Sequence, residues 1–223
     1  MDTGKRLSHR PVDQTKQDAI LRCARAEFFE HGYAAASIER IAATANVSKV
    51  TIYNHFQSKE NLFSAMVGSE CSVMRGQLPD MTNAETSLRA ELLHFAQSMM
   101  EFLSSPDIIR FDRRMAAEVE RHPEMGELFL NAGPRRMKAM LTEMIAGEME
   151  RGRLATADPQ EAAAHLFGSI KGFADVEWRF SNPDAAAASV KPAALAAAVD
   201  RFLMAYQISQ QDSPVQIASR TLR

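Results

Sequence analysis

Residues 47–62 read VSKVTIYNHFQSKENL, and the two serines in this stretch decide the fold. Ser48 and Ser58 each stand directly before a run that can be helical. Serine is a preferred N-cap because its hydroxyl accepts a hydrogen bond from a backbone N–H that the first helical turn leaves unsatisfied. Just upstream, Ser37 is placed to cap another short run, with Glu39 in its first turn and Ile38, Ile41, Ala42 and Ala45 on one face. Asn46 follows, a residue type that tolerates the left-handed conformation that closes a helix. Two short amphipathic helices joined by about three residues are the pattern of a helix-turn-helix. Such a turn makes the second helix protrude as a rod that fits the major groove of B-DNA.

The faces of that second helix can be read from its periodicity. Val47, Ile52 and Phe56 point inward, against Leu62 and Phe63 of the helix that Ser58 opens. Lys49, Val50, Thr51, Tyr53, Asn54 and His55 are left outside. No Asp or Glu falls between Glu39 and Glu60, as expected of a surface that meets phosphates. Lys49 and Lys59 each sit in the first turn of a helix, where a cation opposes the helix dipole unless an anion arrives. The plainer reading is that both lysines simply extend into water. Their placement around one turn-separated helix favours phosphate.

Working outward, residues 15–31 carry Ile20, Leu21, Ala24 and Phe28 at helical spacing, with Thr15 and Asp18 in capping-box register and Gly32 as the stop. After Cys71, the run Arg75-Gly76-Gln77-Leu78-Pro79 marks a boundary. Further helices are expected at 84–104, 107–121, 124–152, 159–180 and 192–207, with a loose connection at 181–191. No strand alternation and no internal repeat is legible. The expected fold is all-α. It has an N-terminal three-helix helix-turn-helix domain over 14–62 and a larger helical ligand-binding and dimerisation domain over 63–208. A basic arm (1–13) and a polar tail (209–223) flank them.

Composition narrows the class. The 223 residues are 46% hydrophobic and 24% charged, ordinary for a globular protein with a real core. No apolar run approaches the roughly 18–20 residues of a membrane span, and the N-terminus lacks the apolar segment of a secretory signal. A cytoplasmic location is expected, with Cys23 and Cys71 as small packed thiols. Net charge is −2, but ten Lys/Arg against eight Asp/Glu in residues 1–75 leave +2 there and −4 in the remainder. That asymmetry weakly favours a DNA-facing N-terminal part.

The segments Phe28-Phe29-Glu30-His31-Gly32-Tyr33, Ser37-Ile38-Glu39-Arg40-Ile41-Ala42, Val47 through Phe56 and Lys59-Glu60-Asn61-Leu62 together resemble the TetR family of transcriptional regulators, without a gap over about residues 14–65. The resemblance implies phosphate contacts for Thr51, Tyr53 and Lys59, and base-edge contacts for Lys49 and Val50. It implies an outward, backbone- or base-near place for His55, and a helix cap lying against the DNA backbone for Ser37. Asn46 departs from the glycine of many relatives, and Asn tolerates the same conformation. Lys5, Arg6 and Arg10 could reach a minor groove, although a solvated tail is the simpler account. Residues 111–180 also resemble AefR-like members, through FDRRMAAEVERHP at 111–123, Gly133-Pro134-Arg135-Arg136-Met137 and Gly168-Ser169-Ile170-Lys171-Gly172-Phe173.

The C-terminal half carries Phe95, Met99, Phe102, Phe111, Met115, Met137, Met140, Met144, Phe167, Ile170, Phe173 and Trp178 at helical spacings. Plain core explains any one of them. The weight of methionine points instead to an adaptable pocket for a small hydrophobic or aromatic effector. Ala164, Gly168 and Gly172 form a small-residue stripe, and Leu195, Val199, Phe202 and Leu203 an apolar seam. These suggest a homodimer on a palindromic operator in double-stranded DNA, with intrachain packing as the alternative.

Other classes fit less well. Six scattered histidines, no phosphate loop and no nucleophile elbow argue against an enzyme, and no cofactor, metal or membrane partner is expected. Glu118 and His122 could share a metal at i, i+4, but an ion pair with Arg114 or Arg121 is the simpler expectation. A protein-binding helical scaffold would leave Lys49, Thr51, Tyr53 and Lys59 unexplained.

Overall fold

The computed structural model describes residues 10–76 and 87–208, and among them every regular element is helical. The helices run α1 (Arg10–Ala35), α2 (Ile38–Thr44), α3 (Lys49–Phe56), α4 (Lys59–Gly76), α5 (Leu88–Leu103), α6 (Pro106–Val119), α7 (Pro123–Ala132), α8 (Pro134–Glu150), α9 (Pro159–Lys171), α10 (Ala174–Phe180), α11 (Ala186–Ser189) and α12 (Pro192–Ala205). Lys5, Arg6 and the 209–223 tail lie outside the described residues, while Arg10 opens α1 rather than belonging to an arm.

Two compact units result, and they divide the chain differently from the expected boundary at residue 62. Residues 1–72 join 110–133 in the first, and 73–109 join 134–223 in the second. The division passes through α4 and α6, so each of those helices belongs to both units.

In the first unit, α1 kinks at Gly32, whose φ of 76° lies in the left-handed region that glycine adopts without a Cβ clash. Phe28 packs edge-on against Phe63, with ring centroids 5.3 Å apart, and Ile20, Ala24, Ile41, Ile52, Phe56, Leu62 and Met66 complete the small core. Phe111 and Met115 of α6 are buried in this unit, and Phe111 stacks on Phe29 at 4.4 Å. Aromatic pairs of this kind add ~0.5–1.5 kcal/mol beyond the area that they bury.

The second unit is built on one apolar cluster in which α12 packs on α5 and α9, and α9 on α8. Two helices expected to be continuous are broken. The expected 124–152 helix stops at Gly133 because Pro134 has no N–H to donate and disfavours helical geometry in the residue before it. A Cβ on Gly133 would also lie 2.9 Å from Val67 Cγ1. The expected 159–180 helix breaks at Gly172, which takes φ 51° and closes α9. Gly172 is therefore a helix stop and not a rung of a flat helix face.

Candidate nucleic-acid interface

The turn between α2 and α3 is a complete left-handed helix stop. Asn46 takes φ 54°, its N–H donates to the Ala43 carbonyl at 3.2 Å, and the Val47 N–H reaches back to the Ala42 carbonyl at 3.0 Å. Ser48 then caps α3, its Oγ accepting from the Thr51 N–H at 3.0 Å, which is worth about 1 kcal/mol. Ser37 caps α2 in the same way through the Arg40 N–H at 3.3 Å. Glu27 fixes that end further, accepting from the Ser37 N–H and the Arg40 Nε, each at 2.8 Å. Burial pushes the Glu27 carboxyl up, but Arg40 and the Ser37 amide outweigh it and hold the group below the usual carboxylate range.

Ile52 and Phe56 point into the core, and Lys49, Val50, Tyr53 and Asn54 face out. Val50 keeps 66% of its surface exposed. Thr51 and His55 are half-buried at the edges of this face.

Neither first-turn lysine extends into open water. Lys49 Nζ donates to Glu39 Oε1 on α2 and lies 5.9 Å from the Tyr53 ring centroid. The hydrogen bond from Lys49 holds the Glu39 carboxyl down at about 2, and Glu39 in turn raises Lys49. Lys59 Nζ donates to the Ala34 carbonyl at 3.2 Å and sits 4.8 Å above the Tyr33 ring. Burial lowers the Lys59 ammonium below the usual lysine range, although Glu118 and Glu60 act against that shift. The Tyr33 hydroxyl donates to Glu60 Oε1 at 2.7 Å, and burial, followed by this bond, raises the phenol. These contacts offset the dipole penalty that both lysines would otherwise bear.

Residues 20–66 match the family model described as bacterial regulatory proteins, tetR family, and residues 90–208 match the AefR-like transcriptional repressor C-terminal domain. This chain belongs to the TetR family. Its members are DNA-binding transcriptional regulators rather than enzymes. The HTH-type transcriptional regulator YvkB of Bacillus subtilis is 30% identical over 74% of this chain and 82% of its own length. RutR of Escherichia coli is 31% identical over 78% and 79%. Among solved structures, a TetR-family regulator from Mesorhizobium loti superposes with a TM-score of 0.72 at 28% identity, covering 88% of this chain and 98% of that one. The flavonoid-responsive regulator FrrA gives 0.66 at 28% identity over 87% and 98%.

TetR regulators bind DNA operators and act as dimers with small-molecule effectors. Phe95, Met99, Phe102, Met137, Met140, Met144, Phe167, Ile170 and Trp178 all join the apolar cluster of the second unit. Three expected lining residues do not. Phe111 and Met115 are buried in the first unit, and Phe173 is 83% exposed. A separate cleft of about 390 Å³ is lined by Arg153, Leu154, Asp200, Leu203, Met204, Gln207 and Ile208. Arg153, one of these lining residues, bridges Glu148 and Glu91, two carboxylates that are almost fully buried. Burial pushes the Glu148 carboxyl up, but hydrogen bonds from Arg153 and Arg151 outweigh it and hold it down.

The expected dimer seam is corrected in part. Leu195, Val199 and Phe202 are buried in their own chain and have almost no surface left for a second copy. Ala164 and Gly168 are exposed with open space beside Gly168, Leu203 is half-buried, and Gly172 is at the helix stop. Sequence reading missed a second exposed surface: Phe173, Val176 and Phe180, at i, i+3 and i+7, are 83%, 49% and 84% exposed.

Glu118 was also misread. Its carboxylate accepts from the backbone amides of Tyr33 and Ala34, and His122 Nδ1 lies 3.5 Å from Glu124. No cluster of metal-ligating side chains occurs among the described residues, and no helix there is long and apolar enough to cross a membrane.

Proposed function

We propose that this chain is a cytoplasmic repressor that binds a palindromic operator as a homodimer and releases it when a small hydrophobic or aromatic effector binds the second unit. The observation that carries the DNA-reading half is the outward face of α3, where Lys49, Val50, Tyr53 and Asn54 stand together without an acid among them. Thr51, Tyr53 and Lys59 take phosphates, Lys49 and Val50 read base edges, and Ser37, Ser48 and His55 lie at the rim. The Phe173–Val176–Phe180 face supports the homodimer, because apolar surface of this kind is rarely left to water.

The effector reading rests on the half-buried methionines Met137, Met140 and Met144 along one face of α8, beside Phe95, Met99, Phe102, Phe167, Ile170 and Trp178. Flexible thioether side chains can reshape around a guest at low cost. A tenfold loss of operator affinity needs only ~1.4 kcal/mol of differential binding between the two states of the dimer.

Trp178 gives the test its readout. It is the single tryptophan of the chain, 5% exposed, and its Nε1 donates to Ser189 Oγ at 3.0 Å. Titrating a panel of aromatic and phenolic compounds should quench or shift Trp178 emission, and the compounds that do so should lower DNA affinity with the same apparent constant. Compounds that perturb Trp178 while leaving DNA affinity untouched would overturn the release mechanism.

A further inference from the structure

Helix α6 lays one stripe of side chains along the end of α1. Phe111, Arg114 and Glu118 stand at i, i+3 and i+7, so they share a face. Phe111 stacks on Phe29, and Arg114 donates to the Phe29 carbonyl. Glu118 divides its carboxylate between two neighbouring amides: Oε2 accepts from the Tyr33 N–H and Oε1 from the Ala34 N–H, each at 3.0 Å.

The glycine before this pair is part of the same device. Gly32 takes φ 76°, and a Cβ built on it would lie 2.5 Å from Glu118 Oε1. Any side chain there would therefore strain the backbone and force the carboxylate to shift. Charge-assisted bonds to backbone N–H groups are about twice as strong as neutral ones, so the clamp holds the 32–34 turn in one conformation.

What the turn presents on its other side gives the clamp a function. The Ala34 carbonyl accepts from Lys59 Nζ, the Tyr33 ring lies under the same ammonium, and the Tyr33 hydroxyl donates to Glu60. The two residues gripped by Glu118 are thus the two that hold the first turn of α4, where Lys59 meets a phosphate in the proposed function. We infer that Glu118 is a positioning residue for DNA binding: it orients Tyr33 and Ala34 so that the Lys59 ammonium is held where a phosphate meets it. An α6 residue thereby becomes part of the DNA-reading head without touching DNA. This inference rests on the proposed phosphate role of Lys59.

The test is a thermodynamic cycle on the full-length chain, read as the salt dependence of binding to duplex DNA. Lys59→Ala should lower the slope of log K against log salt by about one unit, as the loss of one phosphate contact does. Glu118→Gln presents an amide with one acceptor where two N–H groups need it, and should lower the slope by a similar amount with a several-fold loss of affinity. Lys59→Ala/Glu118→Gln should match Lys59→Ala alone. A slope unchanged by Lys59→Ala would sink the phosphate role itself. A lowered slope for Lys59→Ala with a wild-type slope for Glu118→Gln, or additive losses in the double variant, would sink only the clamp. Hydrogen exchange on the wild-type chain supplies a measurement that needs no variant to fold. The Tyr33 and Ala34 amides should be protected to the level of the α1 core, and fast exchange at both contradicts the clamp.

Discussion

Lys49 and Lys59 sit at equivalent places in successive helices, yet their surroundings give them different work. Lys59 is partly buried between the Ala34 carbonyl and the Tyr33 ring, which fixes a charge but shows no base-reading geometry. Lys49 is half-exposed on the outward face and held by Glu39, whose carboxyl their hydrogen bond keeps below the usual carboxylate range. Glu39 is therefore ionised at neutral pH, and its titration adds no pH dependence to DNA binding there. Lys49→Ala should change the preference at one base pair per half-site by ~1–3 kcal/mol, measured as relative affinities for a set of singly substituted operators. A uniform loss across that set would remove Lys49 from base reading. The outward residues of α3 were legible because period and capping fix which side faces the core. Glu39 and Tyr33 as holders of the lysines were not, since nothing in local spacing shows that α2 and the α1 end converge on them.

The helix ends on either side of the α2–α3 turn were read correctly, but α1 begins at Arg10, five residues before the capping box expected at Thr15 and Asp18, because Pro11 suits a first helical turn, where no N–H is needed. Ser37, Ser48 and Asn46 do in space what they promise in sequence. The two missed helix breaks share a cause. Apolar periodicity continues across Gly133-Pro134 and across Gly172, and a reading weighted towards periodicity passes over the backbone chemistry that breaks the helix. Glu118 was assigned to a local i, i+4 pair for the same reason, because its true partners are distant in sequence. In the second unit, Arg153 joins the start of α5 to the end of α8 through Glu91 and Glu148, a non-local device of the same kind. Arg153→Met would leave both buried carboxylates without that counter-charge, so urea unfolding at pH 7 should show a loss of about 3 kcal/mol. The sign of its pH dependence follows from Glu148. Its carboxyl lies below the ordinary value of 4.5 in the folded chain, so the stability it contributes is present above that value and is lost as pH falls through the folded pKa. The deficit of Arg153→Met should accordingly shrink as the pH is lowered below about 4.5. A constant deficit from pH 7 to pH 3 would mean that packing, not charge, sets the effect.

At the scale of the molecule, one copy carries one recognition helix, and a palindromic site needs two. Phe173 and Phe180 are the exposed apolar side chains with most to gain from a second copy. Phe180→Glu should yield monomers in sedimentation and a correspondingly weaker hold on any two-fold site, and an intact dimer would place the interface elsewhere. The most direct measurement of the whole account is selection of bound duplexes from a random DNA pool, sequenced after several rounds. The account predicts enrichment of a palindrome whose half-sites are centred about one helical turn, ~34 Å, or a small multiple of it apart. Failure of any sequence to enrich, or enrichment of single sites with no two-fold partner, would contradict it.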